Sequence, residues 1–259
     1  MTPFSRVAFL GIGLINGSLA RVLQRHAMAG EIVACARRED TRKRALELGL
    51  CSRIEADPAA AVQGADLVVL GVPPAAVGVV AAAMRPGLDP AAIITDVSSI
   101  KAQIVRDVVP HLPTPSLFVP GHPVAGTEHS GPDAAFGTLF ERRRCILTPI
   151  EDTDPLAVER IRELWELAGS MVDVMTPEHH DRVLAITSHL PHLIAYTIVG
   201  TVAAWLVHGM DRDEAVAFGR VFRQNTILVC RGARPERLVT DPTCDDVGRA
   251  IVGNWRIRG

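Results

Sequence analysis

Cysteine is scarce and unpatterned in this chain. The five residues, Cys35, Cys51, Cys145, Cys230 and Cys244, are odd in number and nowhere spaced as CxxC. That excludes a disulfide framework and a zinc site built on thiolate pairs, and a reducing cytoplasm is the expected compartment. Charge of either sign is not in excess: the formal net charge is -2 with 22% charged residues, so no global field recruits nucleic acid or an anionic membrane. Long apolar runs are also missing. The nearest, Leu190 to Val207, is opened by Pro191 and interrupted by His192, which is unsuited to a bilayer span. Arg6 followed by Val7 to Ala20 has the outline of a secretory leader, but Gly11, Gly13 and Gly17 interrupt it and no small-x-small cleavage site follows. A small molecule is left as the expected partner, with no nucleic acid and no membrane.

What is present is a regular alternation. With 48% apolar residues over 259, the length suits two modest domains. Short β-rich runs are predicted at Val7–Leu10, Glu31–Ala36, Asp66–Val72, Ala92–Val97, Leu117–Val119 and Cys145–Thr148. Between them, helical spacing is predicted over Ile15–Met28, over Arg38–Leu48 with Gly49 as its cap, and over Pro74–Met84. This order predicts an α/β fold, an N-terminal Rossmann domain with a doubly wound sheet that binds ligands at the carboxyl ends of its strands. After Pro149 the pattern becomes helical, apart from a strand signal at Met171–Met175. The predicted domains are therefore 1–149 and a smaller all-helical domain over 150–259. Asp154 is predicted to cap a helix over Leu156–Leu167, and Pro177–His208 reads as one long helix kinked at Pro191. Its apolar character on several faces predicts burial in a homodimer.

The segment Gly11-Ile12-Gly13-Leu14-Ile15-Asn16-Gly17 falls between the first strand and first helix, where a glycine turn brings a pyrophosphate against backbone N–H groups. Asn16 stands where the third fingerprint glycine is expected, which predicts a slightly widened turn or helix-strand contact. Gly11, Gly13, Leu14 and Ile15, with Val72, Pro73 and Ser98 after later strands, form the predicted dinucleotide set. At the end of the second strand, NAD enzymes often carry an acid for the ribose hydroxyls. Ala36 occupies that slot, followed by Arg37 and Arg38, whose guanidinium groups suit a 2′-phosphate. NADP is favoured over NAD, and the plainer reading is that both arginines are simply solvated.

Three further motifs stand out: Asp96-Val97-Ser98-Ser99-Ile100-Lys101, Gly121-His122-Pro123-Val124-Ala125-Gly126-Thr127-Glu128, and Ser188-His189-Leu190-Pro191-His192. Together with the glycine turn they resemble the prephenate/arogenate (cyclohexadienyl) dehydrogenase family, in order and spacing, over roughly residues 6 to 200. The resemblance implies oxidative decarboxylation of prephenate or arogenate in tyrosine biosynthesis, with hydride transfer to NAD(P). It implies His122 as the group that takes the substrate hydroxyl proton, a role that suits a neutral imidazole near neutral pH. Ser99 is implied to hydrogen-bond His122 and substrate; its plainer reading is a helix N-cap. Glu128 is implied near the pocket entrance, with Thr127 and Ser130 on the same loop, and His189 and His192 in the substrate pocket. Spacing alone also allows those two histidines as metal ligands or packing residues, but no third ligand is evident and no metal is expected. The adjacent His179 and His180 are predicted to point to opposite sides of a helix start and to be solvated.

Beyond about Gly200 the sequence departs from the family pattern. Phe222-Arg223-Gln224-Asn225-Thr226-Ile227 places Ile227 where the family carries an arginine for the substrate side-chain carboxylate, leaving Arg223 or Arg220 as substitutes. The tail is short for an appended regulatory domain. Two other readings compete: a 3-hydroxyacid-type dehydrogenase, which expects a lysine in its helical domain although none follows Lys101, and a dinucleotide-binding module of low turnover.

Overall fold

Apolar residues fill both faces of the first strand, and that double burial sets the architecture. In the computed structural model, which describes residues 2–189 and Ile194, β1 spans Phe4–Leu10. Val7 and Phe9 enter one core cluster while Ala8 and Leu10 enter another on the opposite face, following the two-residue alternation of a strand. β4 (Leu67–Leu70) divides its residues the same way. A strand apolar on both sides belongs in the middle of a parallel sheet covered twice.

The other strands are β2 (Ala29–Cys35), β3 (Arg53–Glu55), β5 (Ile93–Asp96), β6 (Phe118–Pro123), β7 (Arg144–Leu147) and β8 (Met171–Val174). Their order is β3-β2-β1-β4-β5-β6-β7-β8. Pairing is parallel from β3 across to β6, antiparallel between β6 and β7, and parallel between β7 and β8. The chain runs outward from β1 through β2 to β3, then returns to the other side of β1 as β4. That reversal opens a crevice at the carboxyl ends of β1 and β4.

The helices are α1 (Leu14–Arg25), α2 (Glu39–Glu47), α3 (Pro58–Val62), α4 (Pro74–Met84), α5 (Ala102–Val108), α6 (Pro155–Leu167) and α7 (Pro177–Leu184). One core cluster takes Leu19, Val22 and Leu23 of α1 and Ile161, Leu164 and Trp165 of α6. The opposite cluster takes Val77, Ala81 and Met84 of α4 and Ile104 and Val108 of α5. Fully burying each large side chain contributes about 1.5–3 kcal/mol, so the two faces supply most of the unit's stability.

The predicted elements among the described residues recur with shifted ends, and α3, α5 and β3 are additions. Three residues, mostly polar, are too few to register a strand period, and β3 forms because Val33, Ala34 and Cys35 offer it a parallel edge. The domain boundary needs correction. The first compact unit runs to Asp181, not to Pro149. Asp154 caps α6 by accepting from Leu156 N at 2.8 Å, as predicted, but α6 buries its apolar stripe against the Rossmann core and β8 extends the sheet beside β7. A helical pattern after Pro149 thus marks a covering layer of the same domain.

In the second unit, Ala185–His189 forms a π-helical turn. The Thr187 hydroxyl donates to the Val183 carbonyl at 2.8 Å, a side-chain bond that competes with the regular helical ladder. The predicted long helix begins at Pro177 as expected, whereas its continuation through Pro191 to His208 lies outside the described residues. No helix among the described residues is long and apolar enough to cross a membrane.

Candidate active site

The crevice begins with a turn that only glycine fits. Gly11 has φ +91°, and a Cβ there would lie 2.6 Å from the Gly71 carbonyl oxygen. Across it, a Cβ on Gly71 would strike the Asn16 side chain at 2.2 Å. Asn16 is buried and its Nδ2 donates to the Gly11 carbonyl at 2.7 Å. The residue in the third-glycine slot therefore ties its side chain to the turn, a bond that glycine could not make.

Gly13 is the N-cap of α1 and has open space where a Cβ would stand. No side chain caps this end and no acid occupies the first turn. Twelve residues of aligned peptide dipoles thus present an uncapped N-terminus to the crevice, a ready site for an anion. Leu14 and Ile15 are half-buried beside it. Val72 and Pro73 follow β4, and Ser98, buried after β5, has a hydroxyl with no hydrogen-bond partner among the described residues. A crowding-free glycine, a bare helix end and an orphaned buried hydroxyl fit a dinucleotide diphosphate and its neighbouring ring.

At the end of β2, Ala36 is buried and Arg37 and Arg38 are exposed. Arg42 donates to the carbonyls of Ala36 and Arg37 at 2.9 and 2.8 Å, which fixes the turn carrying these arginines. Arg38 makes a loose contact of 3.7 Å with Asp40 while its side chain is 74% exposed.

A second group of residues gathers at the ends of β5 and β6. Asp96 and Lys101 are both fully buried, with Nζ to Oδ2 at 2.6 Å. Lys101 Nζ also donates to the Gly121 carbonyl at 2.6 Å, and Asp96 accepts from the backbone N–H of Ser98 and Gly121. Burial depresses the Lys101 proton affinity and the Asp96 charge opposes that depression. The aspartate and lysine of the D-x-x-S-x-K motif therefore clamp the two strand ends together.

His122, 8% exposed, stands next to that clamp on β6. Its Nδ1 lies 2.8 Å from His180 Nε2, and His180 Nδ1 lies 2.9 Å from Asp181 Oδ1. Asp181 accepts in addition from the backbone N–H groups of Lys101 and Ala102 at 2.7 and 2.9 Å, serving the start of α5 from a different helix. Burial lowers the proton affinity of His180, outweighing the Asp181 contact. Burial works against the Asp181 charge, yet bonds from His180, Ala102 and Lys101 hold its carboxyl below the usual range.

His180 is thus fully buried, not solvated as its place at a helix start implied. Helical spacing alone put His179 outside, where it is exposed, and gave no sign that α7 turns its next residue into the sheet. Ser99 is exposed, and the N-cap of α5 is Lys101, which corrects the capping alternative for Ser99. Thr127 and Glu128 are exposed on the loop after β6. The Thr127 hydroxyl accepts from His129 N at 3.2 Å, and Glu128 lies 3.5 Å from the His129 ring. His189 ends the π-helical turn, and His192, Arg220, Arg223 and Ile227 lie outside the described residues. His180, Asp181 and the Lys101 clamp were missed by sequence reasoning. The lysine was legible only as part of a motif, and the His-Asp pair only as an adjacent dipeptide of ordinary polar residues.

Residues 19–174 match the family model described as prephenate dehydrogenase, nucleotide-binding domain, and residues 176–231 the one described as prephenate dehydrogenase, dimerization domain. The second match runs past Gly200, where the motifs stop agreeing. A cyclohexadienyl dehydrogenase of Zymomonas mobilis is 42% identical over 205 residues, 79% of this chain and 70% of that protein. A prephenate dehydrogenase of Bacillus subtilis is 32% identical over 194 residues, 74% of this chain and 52% of that protein, so the chain spans about half its length. The crystal structure of prephenate dehydrogenase from A. aeolicus with hydroxyphenyl propionate and NAD+ superposes with a TM-score of 0.73 at 24% identity, covering 98% of each chain. That likeness is one of fold.

Proposed function

This chain belongs to the prephenate dehydrogenase family, and we propose that it catalyses the oxidative decarboxylation of prephenate, arogenate or both, with NADP favoured over NAD. The products are 4-hydroxyphenylpyruvate or tyrosine, and the reaction serves tyrosine biosynthesis. The observation that carries this reading is the burial of His122 at the end of β6, two residues beyond the last β5 pairing, on the side of the sheet where the glycine crevice opens.

A bound oxidised nicotinamide supplies the acceptor for the two electrons leaving the substrate's hydroxyl-bearing ring carbon. His122 takes the hydroxyl proton as that carbon becomes a carbonyl. The ring carboxylate then departs as CO₂, its bonding electrons flow to the oxygen, and His122 returns the proton to give the phenol. A positioned acid-base group of this kind contributes roughly 10²–10⁴ in rate. Gly11, Gly13, Leu14, Ile15, Val72, Pro73 and Ser98 hold the dinucleotide. For the substrate, the family motifs carry over Ser99, Thr127, Glu128, His189 and His192 as binding residues, and Arg223 as the carboxylate partner.

The NADP preference is supported by Ala36, which offers no carboxylate to a ribose hydroxyl, and by two exposed guanidinium groups at the next positions. A homodimer through the C-terminal segment accords with the dimerization-domain match. Purified protein mixed with NADP or NAD and either acid tests the reading. Reduced nicotinamide is expected, faster with NADP, and its absence in all four mixtures rejects the function.

A further inference from the structure

We propose that His180 and Asp181 are positioning residues that hold His122 in the single tautomer able to accept the substrate proton. The proposal rests on the assignment of His122 above and adds two residues to it.

Its basis is the direction of the hydrogen bonds. Asp181 is an ionised carboxylate already accepting from two backbone N–H groups, so the proton between it and His180 belongs to His180 Nδ1. His180 is neutral, because its buried position disfavours a second charge, and its Nε2 therefore carries a lone pair. The 2.8 Å contact can then be made in one way only: His122 Nδ1–H donates to His180 Nε2. A neutral His122 protonated at Nδ1 carries its lone pair on Nε2, the ring nitrogen away from this relay. Each imidazole is fixed by the group behind it, and the chain starts from a carboxylate anchored by the α5 backbone.

The same order stabilises the charged state. When His122 accepts a proton at Nε2 it becomes an imidazolium whose Nδ1–H still points at a lone pair, and Asp181 supplies negative charge one residue further on. No proton has to reach Asp181. The rings meet edge to face, 5.0 Å between centroids at 68°, so His180 also limits rotation of His122.

The test compares two substitutions and reads the tautomer directly. His180→Leu fills similar space without an acceptor, and kcat is expected to fall roughly 10–100-fold, as for other groups that orient a reacting side chain, with KM for both substrates within about twofold. His180→Gln offers an acceptor oxygen to His122 and is expected to recover most of that loss. In ¹⁵N-histidine-labelled wild-type protein near neutral pH, the His122 spectrum is expected to show Nδ1 protonated and Nε2 unprotonated, with resonances identified from the His122→Asn and His180→Gln proteins. An Nε2-protonated His122, or an unchanged kcat in His180→Leu, overturns the proposal. If wild-type protein turns over no substrate, the function above fails while the tautomer reading still decides this inference. If His180→Leu does not fold, the wild-type spectrum decides alone.

Discussion

The two halves of the crevice are built by opposite means. At the ends of β1, β2 and β4 the site is made by what is left out: side chains at Gly11, Gly13 and Gly71, a cap on α1, and a carboxylate at Ala36. At the ends of β5 and β6 it is made by buried charge and polarity, with Lys101, Asp96, His122 and His180 all inside the protein. Under the proposed function, the first arrangement offers backbone N–H groups and solvent-facing cations to an anion and is assigned to affinity. The second holds protons at defined atoms and is assigned to rate. Damage to one half is expected to leave the other working.

The widest separation is expected from His122→Asn. Turnover falls roughly 10²–10⁴-fold, while the dinucleotide dissociation constant, measured by fluorescence titration, stays within about twofold of wild type. Equal losses in both would dissolve the distinction between the halves. Lys101→Met attacks the chemical half through stability. It leaves Asp96 buried without its countercharge, and removing one member of a buried pair costs about 3–5 kcal/mol, readable as a lower urea midpoint. A midpoint unchanged by that substitution would mean the clamp does not hold the strand ends.

Gly11→Ala attacks the other half. The left-handed backbone costs about 1–3 kcal/mol for a residue with a Cβ, and the new atom meets the Gly71 carbonyl. A dinucleotide affinity roughly 10–100-fold weaker is expected, with kcat at saturation largely kept. Arg37→Ala combined with Arg38→Ala sharpens the same half, weakening NADP roughly 10–100-fold and leaving NAD unmoved, since the charge-assisted bonds to the 2′-phosphate are lost. Loss of NAD and NADP together would assign the arginines to the turn and not to the phosphate.

The smallest effect concerns pH. His180 binds a proton less readily folded than unfolded, so the unfolded chain takes up more protons and stability declines as pH falls below about 6.5. Asp181 acts lower down: its depressed carboxyl stabilises the fold above the ordinary carboxylate range, and that contribution is lost as pH falls through the depressed value. Urea midpoints followed from pH 8 to pH 5 are expected to slope less in His180→Gln than in wild type.

These halves also differed in how well they could be read from sequence. The glycine half follows from local rules, because a strand, a glycine turn and a helix are neighbours in the chain and their chemistry is that of the backbone. Even there, the bond from Asn16 to the Gly11 carbonyl was not legible, since it depends on a rotamer that spacing does not encode. The buried half is assembled from positions far apart: Asp96 and Lys101 on one strand end, His122 on another, His180 and Asp181 on α7. His122 was legible because Gly121 and Pro123 frame it in a motif. His180 was not, because a histidine beside a second histidine at a helix start carries no periodic signal of burial. The boundary was misplaced for a related reason: α6 has the composition of a helical domain, and its membership of the first unit comes from packing on the Rossmann core and from the pairing of β8 with β7, which are long-range contacts.

The proposed reaction sends the electrons of the hydroxyl-bearing carbon directly to the dinucleotide. Prephenate or arogenate carrying deuterium on that carbon tests it most directly. The deuterium is expected in the reduced nicotinamide, with one CO₂ released for each. Deuterium found in solvent water, or CO₂ released without reduced nicotinamide, would contradict it.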